Sequence, residues 1–582
     1  MTLKKTWTVL SPMLWAHRRT MALGLGALIL KDLLGAVAPL AIRAGVDSIT
    51  TGFSLERVGV FAGVMVALAV AKGLFQFWMR TLIIGVSRDI EYDLRRRLFG
   101  HLVTLDAGFF GTYRIGDLMA RATNDLNAVR MMLGPGIMYT LETGLTFVLV
   151  AGILFWVDWR LTLVALAPAP LVSFAVIFFG QRIHARFQKI QSLFSDISSR
   201  VQESLAGVRV VRAYTQEEAE MARFETLNRD YIAQNLRLSM LSGLFMPVLE
   251  ALIAASFLIV LWVGGQRLLA GQTTLGTFLM FNVYMGMLAW PMIALGWVVN
   301  LIQRGTASLA RLEEIFERQP TIAAPASPVA LPQPLKGDIV FDQVTLRFGE
   351  RTALDHVSLR IPAGSTAAIV GHTGSGKTTL VNLIPRLLDV NDGAVRVDRI
   401  DVRAVDPEAL RRNIAFVPQE TFLFSATLGE NIAFGVEGAT REAILKAAEQ
   451  AGLGPDLASF PAGLETIVGE RGITLSGGQK QRTAIARAIL RDPAVLVLDD
   501  ALASVDTITE ERILTALTGI MRGRTTILIS HRVSTVRSAD RIFVLDKGRL
   551  AEEGTHDQLI ARGGYYAELH ERQMLEEELG AV

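Results

Sequence analysis

The run Gly371, His372, Thr373, Gly374, Ser375, Gly376, Lys377, Thr378, Thr379 concentrates groups that could do chemistry. Its three glycines let backbone N–H groups curl around an anion, and a lysine and two hydroxyls follow at once. The run comes after the β-branched stretch Ala367–Val370 and opens a helix, whose N-terminus adds positive potential. This strand–loop–helix order predicts a cradle for the phosphates of a nucleoside triphosphate such as ATP. Lys377 would meet the β- and γ-phosphates and the Thr378 hydroxyl would ligate Mg²⁺. Val495–Asp499 reads as an apolar strand ending in an acid, suited to a second Mg²⁺ ligand. In Leu475–Arg482, the Ser476 hydroxyl and the N–H groups of Gly477 and Gly478 stand with Gln479 at a predicted helix start, where they can cap a γ-phosphate.

The elements that must position these groups fall into two halves. Beyond a Pro- and Ala-rich linker at residues 319–337, short β-branched runs alternate with helices over residues 338–582. Runs at 339–341, 366–370, 415–417, 495–498, 526–529 and 541–545 read as strands of an α/β domain with a mainly parallel sheet. The C-terminal run 565–579, charged and rich in Glu, reads as a solvated helical end.

Residues 1–318 are different. Hydrophobic residues make up 51% of the whole chain and mean hydropathy is +0.37, which points to a membrane-embedded part. Six apolar stretches, near 20–43, 58–85, 132–157, 160–180, 241–264 and 275–303, are each long enough to span a bilayer. This predicts an all-α transmembrane domain of six helices, the first read as a retained helix rather than a cleaved leader. The third and fourth stretches form a hairpin through Val157–Arg160. Lys and Arg crowd the N-terminus, the second-to-third and fourth-to-fifth connections, and the segment after the sixth stretch. Both termini are therefore expected in the cytosol of a multi-pass protein of the cytoplasmic membrane. The two long connections read as helices running past the bilayer, with tips near 109–125 and 207–214 that could press on another domain.

Lys31, Asp32, Lys72, Arg80 and Glu250 fall inside apolar stretches, where charge is costly and tends to face a bundle interior or a wet path. Lys31 and Asp32, adjacent on a helix, point about 100° apart and are not expected to satisfy each other. The net charge of +2 gives no case for a nucleic-acid partner, and the absence of cysteine excludes disulfides and thiol catalysis.

Leu475-Ser-Gly-Gly-Gln479 resembles the ABC signature LSGGQ, and the other motifs follow in that family's order. Phe348 stands where the family stacks an aromatic on adenine. Gln419 resembles the Q-loop glutamine near Mg²⁺ and the attacking water, Asp506 the D-loop aspartate, and His531 the switch histidine on the γ-phosphate. Residues 466–472, with Glu470 and Arg471, resemble the exporter X-loop. Phe109-Phe110, Gly116-Asp117-Leu118, Arg121, Asp125, Gly207, Arg209 and Val211 lie in the membrane half as they do in such exporters. The whole chain resembles an ABC exporter half-transporter of the multidrug and antigen-peptide-transporter type. The resemblance implies a type IV exporter fold fused to a P-loop nucleotide-binding domain, alternating access driven by ATP with Mg²⁺, and two ATP sites shared between two chains. It implies a hydrophobic or peptide substrate, contact with membrane lipids and a second half-transporter as partner. A lipid or lipid-linked-glycan flippase and a homodimeric exporter are the alternatives.

One position departs from the pattern. After the Walker-B acid, Asp499, the family usually places Glu to polarise the attacking water; here it is Asp500, one methylene shorter. A carboxylate set back by roughly 1–1.5 Å can lower the rate about 10²-fold. The departure predicts a site that binds ATP but hydrolyses it slowly, paired in a heterodimer with a chain that supplies the longer carboxylate. Glu420 and Glu470 are alternative bases.

Overall fold

A computed structural model describes residues 3–580 apart from 470, 471, 473, 474, 502–512, 514, 516 and 518. The chain divides into two compact units: residues 1–103 with 115–318, and residues 104–114 with 319–582.

The first unit is helical. Its main elements are α1 (Leu3–Ala16), α2 (Arg18–Thr51), α3 (Leu55–Thr104), α4 (Ile137–Ala165), α5 (Ala169–Ala206), α6 (Glu217–Ile259) and α7 (Leu275–Phe316). At 1.5 Å per residue, the 50 residues of α3 reach about 75 Å, well over the ~30 Å of a hydrocarbon core. Continuous helix therefore runs from the second apolar stretch well into the connection that follows it.

Among the described residues, five helices are long and apolar enough to cross a membrane, where six stretches were expected. The difference lies in the fourth stretch, which is not one helix. Asp158 breaks α4 with extended backbone, at φ −155° and ψ 96°. One of its carboxylate oxygens accepts from Leu161 N–H at 3.0 Å, starting a new helical turn, and Arg267 donates to the other. The chain breaks again at residues 166–168, before α5, where Pro168 and Pro170 remove two backbone donors. The fourth segment is thus divided between the tail of α4 and the start of α5. Val150, Leu154, Leu161 and Ala165 pack with Val260, Met280 and Tyr284 into one buried cluster.

Lys31 and Asp32 correct an expectation. The Lys31 ammonium stands 2.8 Å from an Asp32 carboxylate oxygen and 2.5 Å from Glu142 on α4. Four methylenes let the ammonium bend back across the 100° offset, and Glu142 supplies the second partner. Arg80 and Glu250, by contrast, are exposed in this chain.

The second unit holds two sheets. The smaller, antiparallel one has the order β2-β1-β4-β5, from β1 (Ile339–Phe348), β2 (Arg351–Ile361), β4 (Asp392–Val397) and β5 (Ile400–Asp401). The larger has the order β10-β9-β3-β8-β7-β6, from β3 (Thr366–Gly371), β6 (Ile414–Val417), β7 (Val495–Asp499), β8 (Thr525–Ile529), β9 (Arg541–Asp546) and β10 (Arg549–Gly554). Five of its strands are parallel and β10 closes one edge antiparallel. Strands β3, β7 and β8 are apolar almost throughout, as befits strands covered on both faces.

Residues 319–337 lack regular structure but are tied down within this unit. Val329 N–H donates to the Ala404 carbonyl at 2.8 Å, Lys336 N–H donates to Asp398 at 2.7 Å, and Leu335 is buried. Asp106, in the 104–114 segment, caps Phe109 N–H at 3.1 Å and accepts from both the N–H and the hydroxyl of Thr321. The short tip helix Ala107–Thr112 is so attached to the linker.

Candidate nucleotide site

The parallel strands deliver the motifs to one edge. The run from Gly371 follows β3, Asp499 ends β7, His531 follows β8 and Gln419 follows β6. With β3, β8, β7 and β6 adjacent in that order, all four leave the carboxyl edge of the sheet side by side.

The loop from Gly371 wraps back on itself before α8 (Lys377–Asn382). Gly371 lies at φ 149° and Gly376 at φ 100°. A Cβ on Gly371 would stand 2.1 Å from the Leu545 carbonyl oxygen, and one on Gly376 would stand 2.9 Å from that of Ala353. Only glycine lets the backbone pass this close to its neighbours. Lys377 folds over the loop, its ammonium donating to the Gly371 and His372 carbonyls, each at 2.9 Å. Burial pulls the Lys377 pKa below its ordinary value, against the charges of Asp500 and Asp499. His372, Thr373, Gly374 and Thr378 line the open side, Thr379 is half-buried, and Ser375 is buried with an unpartnered hydroxyl.

Thr378 donates its hydroxyl to Asp499 at 3.2 Å. Asp499 is 1% exposed and its second carboxylate oxygen has no partner. Burial pushes its pKa up, only partly offset by the Thr378 hydroxyl, and Asp500 adds to the rise. A buried orphan oxygen beside a threonine hydroxyl suits a divalent cation, which would favour the ionised form. The residues present therefore fit a Mg²⁺–nucleotide: glycine-framed N–H groups and Lys377 for phosphate, Thr378 and Asp499 for metal.

Asp500 adopts the left-handed region at φ 48°, and its N–H donates to the Ile529 carbonyl at 2.9 Å. Gln419, exposed, reaches Asp500 from across β6 at 3.4 Å, a long contact. Phe348, at the end of β1, is 52% exposed and offers a free ring face. His531 is exposed beyond β8. Asp506, Glu470 and Arg471 lie outside the described residues.

Ser476 caps α9 (Gly477–Leu490) by a reciprocal box: its hydroxyl accepts from Gln479 N–H at 3.3 Å, and its N–H donates to the Gln479 side chain at 2.9 Å. Gly477 and Gly478 form the helix's first turn. Gln479 also donates to Asp456 at 2.9 Å, and Arg482 donates to the other Asp456 oxygen at 2.7 Å. Sequence reasoning missed Asp456, because nothing local marks a residue 23 positions upstream as the anchor of this turn.

The C-terminal helix α10 (Tyr565–Gly580) corrects another expectation. It is not a solvated end: Tyr566 is fully buried and Leu569 nearly so, packed with Val370, Val536 and Leu559. Tyr565 lays its ring 4.5 Å from that of His372. Gln573 donates to the His531 carbonyl at 2.6 Å and accepts from Val533 N–H at 2.8 Å.

A helical membrane unit fused to a phosphate cradle at the edge of a parallel sheet defines an ATP-driven membrane transporter. Residues 21–292 match the family described as ABC transporter transmembrane region, and residues 354–503 the family described as ABC transporter. The chain belongs to the ABC transporter family and is an ABC exporter, an ATPase coupled to transport that uses ATP with Mg²⁺. It is 39% identical over 544 residues to the "Probable multidrug resistance ABC transporter ATP-binding/permease protein YheI" of Bacillus subtilis, covering 92% of each chain. It is 34% identical to the "Multidrug resistance-like ATP-binding protein MdlA" of Escherichia coli, over 97% of this chain and 96% of that one. It is 33% identical to the "ATP-dependent lipid A-core flippase" of Syntrophus aciditrophicus, over 97% and 94%. A solved structure of a bacterial Atm1-family ABC exporter with ATP bound superposes with TM-score 0.78 at 28% identity, over 96% of this chain and 99% of that one.

Proposed function

We propose that this chain exports hydrophobic or amphipathic compounds, drugs or peptides, across the cytoplasmic membrane by alternating access, as the hydrolytically slow half of a heterodimer. ATP supplies a phosphoanhydride whose binding and cleavage favour different conformations. In this reading residues 1–318 form the membrane domain with both termini cytosolic, and residues 338–582 the nucleotide-binding domain. The chain's own residues divide the work. Phe348 stacks the base, Lys377 and the loop N–H groups from Gly371 to Thr379 hold phosphate, and Thr378, Asp499 and Gln419 attend Mg²⁺. His531 meets the γ-phosphate. Ser476, Gly477, Gly478 and Gln479 complete the partner's site.

The observation that carries the heterodimer is one contrast on one chain. The cradle, the metal-binding pair and the signature helix cap are intact, while the carboxylate after Asp499 belongs to the shorter Asp500, which stands only at the edge of hydrogen-bond reach of Gln419. Co-expression with candidate second half-transporters, followed by purification through a tag on this chain, tests it. Stoichiometric recovery of a partner carrying Glu after its own Walker-B acid is expected; a stable, fully active pair of identical chains would overturn it.

A second reading, a lipid flippase, is favoured by relatives at 33–35% identity named "ATP-dependent lipid A-core flippase". Proteoliposomes loaded with fluorescent peptide or with labelled lipid separate the two. Export predicts ATP-dependent movement of the soluble probe, and flipping predicts movement of the lipid alone.

A further inference from the structure

A single helical turn, Val533–Val536, begins two residues after His531. Its N-cap, Arg532, makes no side-chain capping bond. Arg532 N–H donates to the Ser530 hydroxyl at 3.0 Å, but the next donor, Val533 N–H, has no local acceptor. Gln573 supplies it from 40 residues away, accepting at 2.8 Å through its carbonyl oxygen while its amide nitrogen donates to the His531 carbonyl at 2.6 Å. The two ends of one side-chain amide thus meet the two backbone groups that bracket the loop, and neither bond survives if the amide is reversed.

The helix that carries Gln573 is itself fixed. Tyr565 N–H donates to Glu552 at 2.6 Å, the Tyr566 hydroxyl sits 2.9 Å from His556, and Tyr566 is fully buried. The Tyr565 ring lies against His372 in the phosphate loop. Eight residues separate Tyr565 from Gln573, about 12 Å of rigid helix. The first residue of α10 therefore touches the loop before Lys377, and its middle holds the backbone of His531.

We propose that α10 is a strut between the phosphate cradle and the loop carrying His531, with Gln573 the positioning residue that sets where the imidazole stands. Gln573 touches no reacting group; it acts through His531, and the inference rests on the assignment of His531 to the γ-phosphate. A loop pinned at both the His531 carbonyl and the Val533 N–H holds its side chain in place when phosphate arrives, whereas an unpinned one must be ordered during the reaction.

The test is ATP turnover by the purified full-length chain in nanodiscs, read as a ratio between variants, so that it holds whether the parent is fast or slow. Gln573→Met keeps the side chain's length and removes both bonds. It is expected to lower kcat about tenfold and leave KM for ATP within about twofold. His531→Ala/Gln573→Met is expected to be no slower than His531→Ala alone, since the glutamine acts only through the histidine. Should Gln573→Met fail to assemble, Gln573→Glu carries the same test, keeping the acceptor for Val533 N–H and losing the donor to His531. Unchanged kcat in the Gln573 variant, or an equal further fall when it is added to His531→Ala, overturns the strut. An unaffected His531→Ala overturns the assignment of His531 itself.

Discussion

The phosphate cradle and the charge cluster of the membrane unit are both built from buried polar groups, yet they are finished differently. In the cradle, Asp499 keeps one carboxylate oxygen without a partner and the Ser375 hydroxyl is unpartnered too. Lys377 rests on two backbone carbonyls that a phosphate can displace. In the membrane unit the Lys31 ammonium is already held by two carboxylates, Asp32 and Glu142. Unfinished bonding at the sheet edge leaves room for a ligand, whereas paired charge between helices ties α2 to α4. The first arrangement gives up stability for binding. The second keeps charge in the bundle by neutralising it locally.

That contrast can be broken by mutation. Lys377→Ala should have the largest effect on binding, weakening ATP binding at this chain's site roughly a hundredfold or more while leaving the fold intact, as measured with a fluorescent ATP analogue. An equal loss of thermal stability would mean that the lysine is structural. Lys31→Met should do the reverse. It leaves the buried Asp32 and the half-buried Glu142 without their cation, at a cost of about 3–5 kcal/mol, with ATP affinity unchanged. Adding Glu142→Leu should restore part of that loss in a detergent melting experiment. A smaller effect is expected at Asp125, which accepts from Arg311 and the Ser308 hydroxyl in the part of the helical unit outside the apolar stretches. Asp125→Ala should cost about 1.5–3 kcal/mol, visible as earlier proteolysis of that part. The smallest is Asp456→Ala, which frees Gln479 and Arg482. It should slow ATP turnover only a few-fold, because the reciprocal cap between Ser476 and Gln479 remains.

The nucleotide unit was legible in the sequence because its chemistry is contiguous. Gly371 to Thr379 is one loop, Val495 to Asp499 one strand, and Ser476 to Gln479 one helix cap; each announces its own backbone geometry. All six expected strands are present, as β1, β3, β6, β7, β8 and β9. Strands β2, β4 and β10 were missed because one face of each is solvated, so polar residues such as Asp355, Arg396 and Glu552 dilute the β-branched signal, and β5 because it is only two residues long. The residues that tie one element to another were silent. Asp456, Gln573 and Glu142 belong to no motif, and each acts on a group 23, 40 or 111 positions away. The C-terminal helix was misjudged for the same reason. Its run of glutamates reads as solvent-facing, while two adjacent tyrosines and Gln573 do the packing and bonding. In the membrane half, hydropathy found the spans, but the break at residues 166–168 depended on two prolines inside an otherwise apolar stretch.

The proposal of a slow site turns on one methylene group, and ATP hydrolysis by this chain alone measures it. Reconstituted without a partner, the parent should turn over slowly, and Asp500→Glu should raise kcat at least tenfold with little change in KM for ATP. A parent already as fast as its Asp500→Glu variant would contradict the account, for the shorter carboxylate would then serve as well as the longer one.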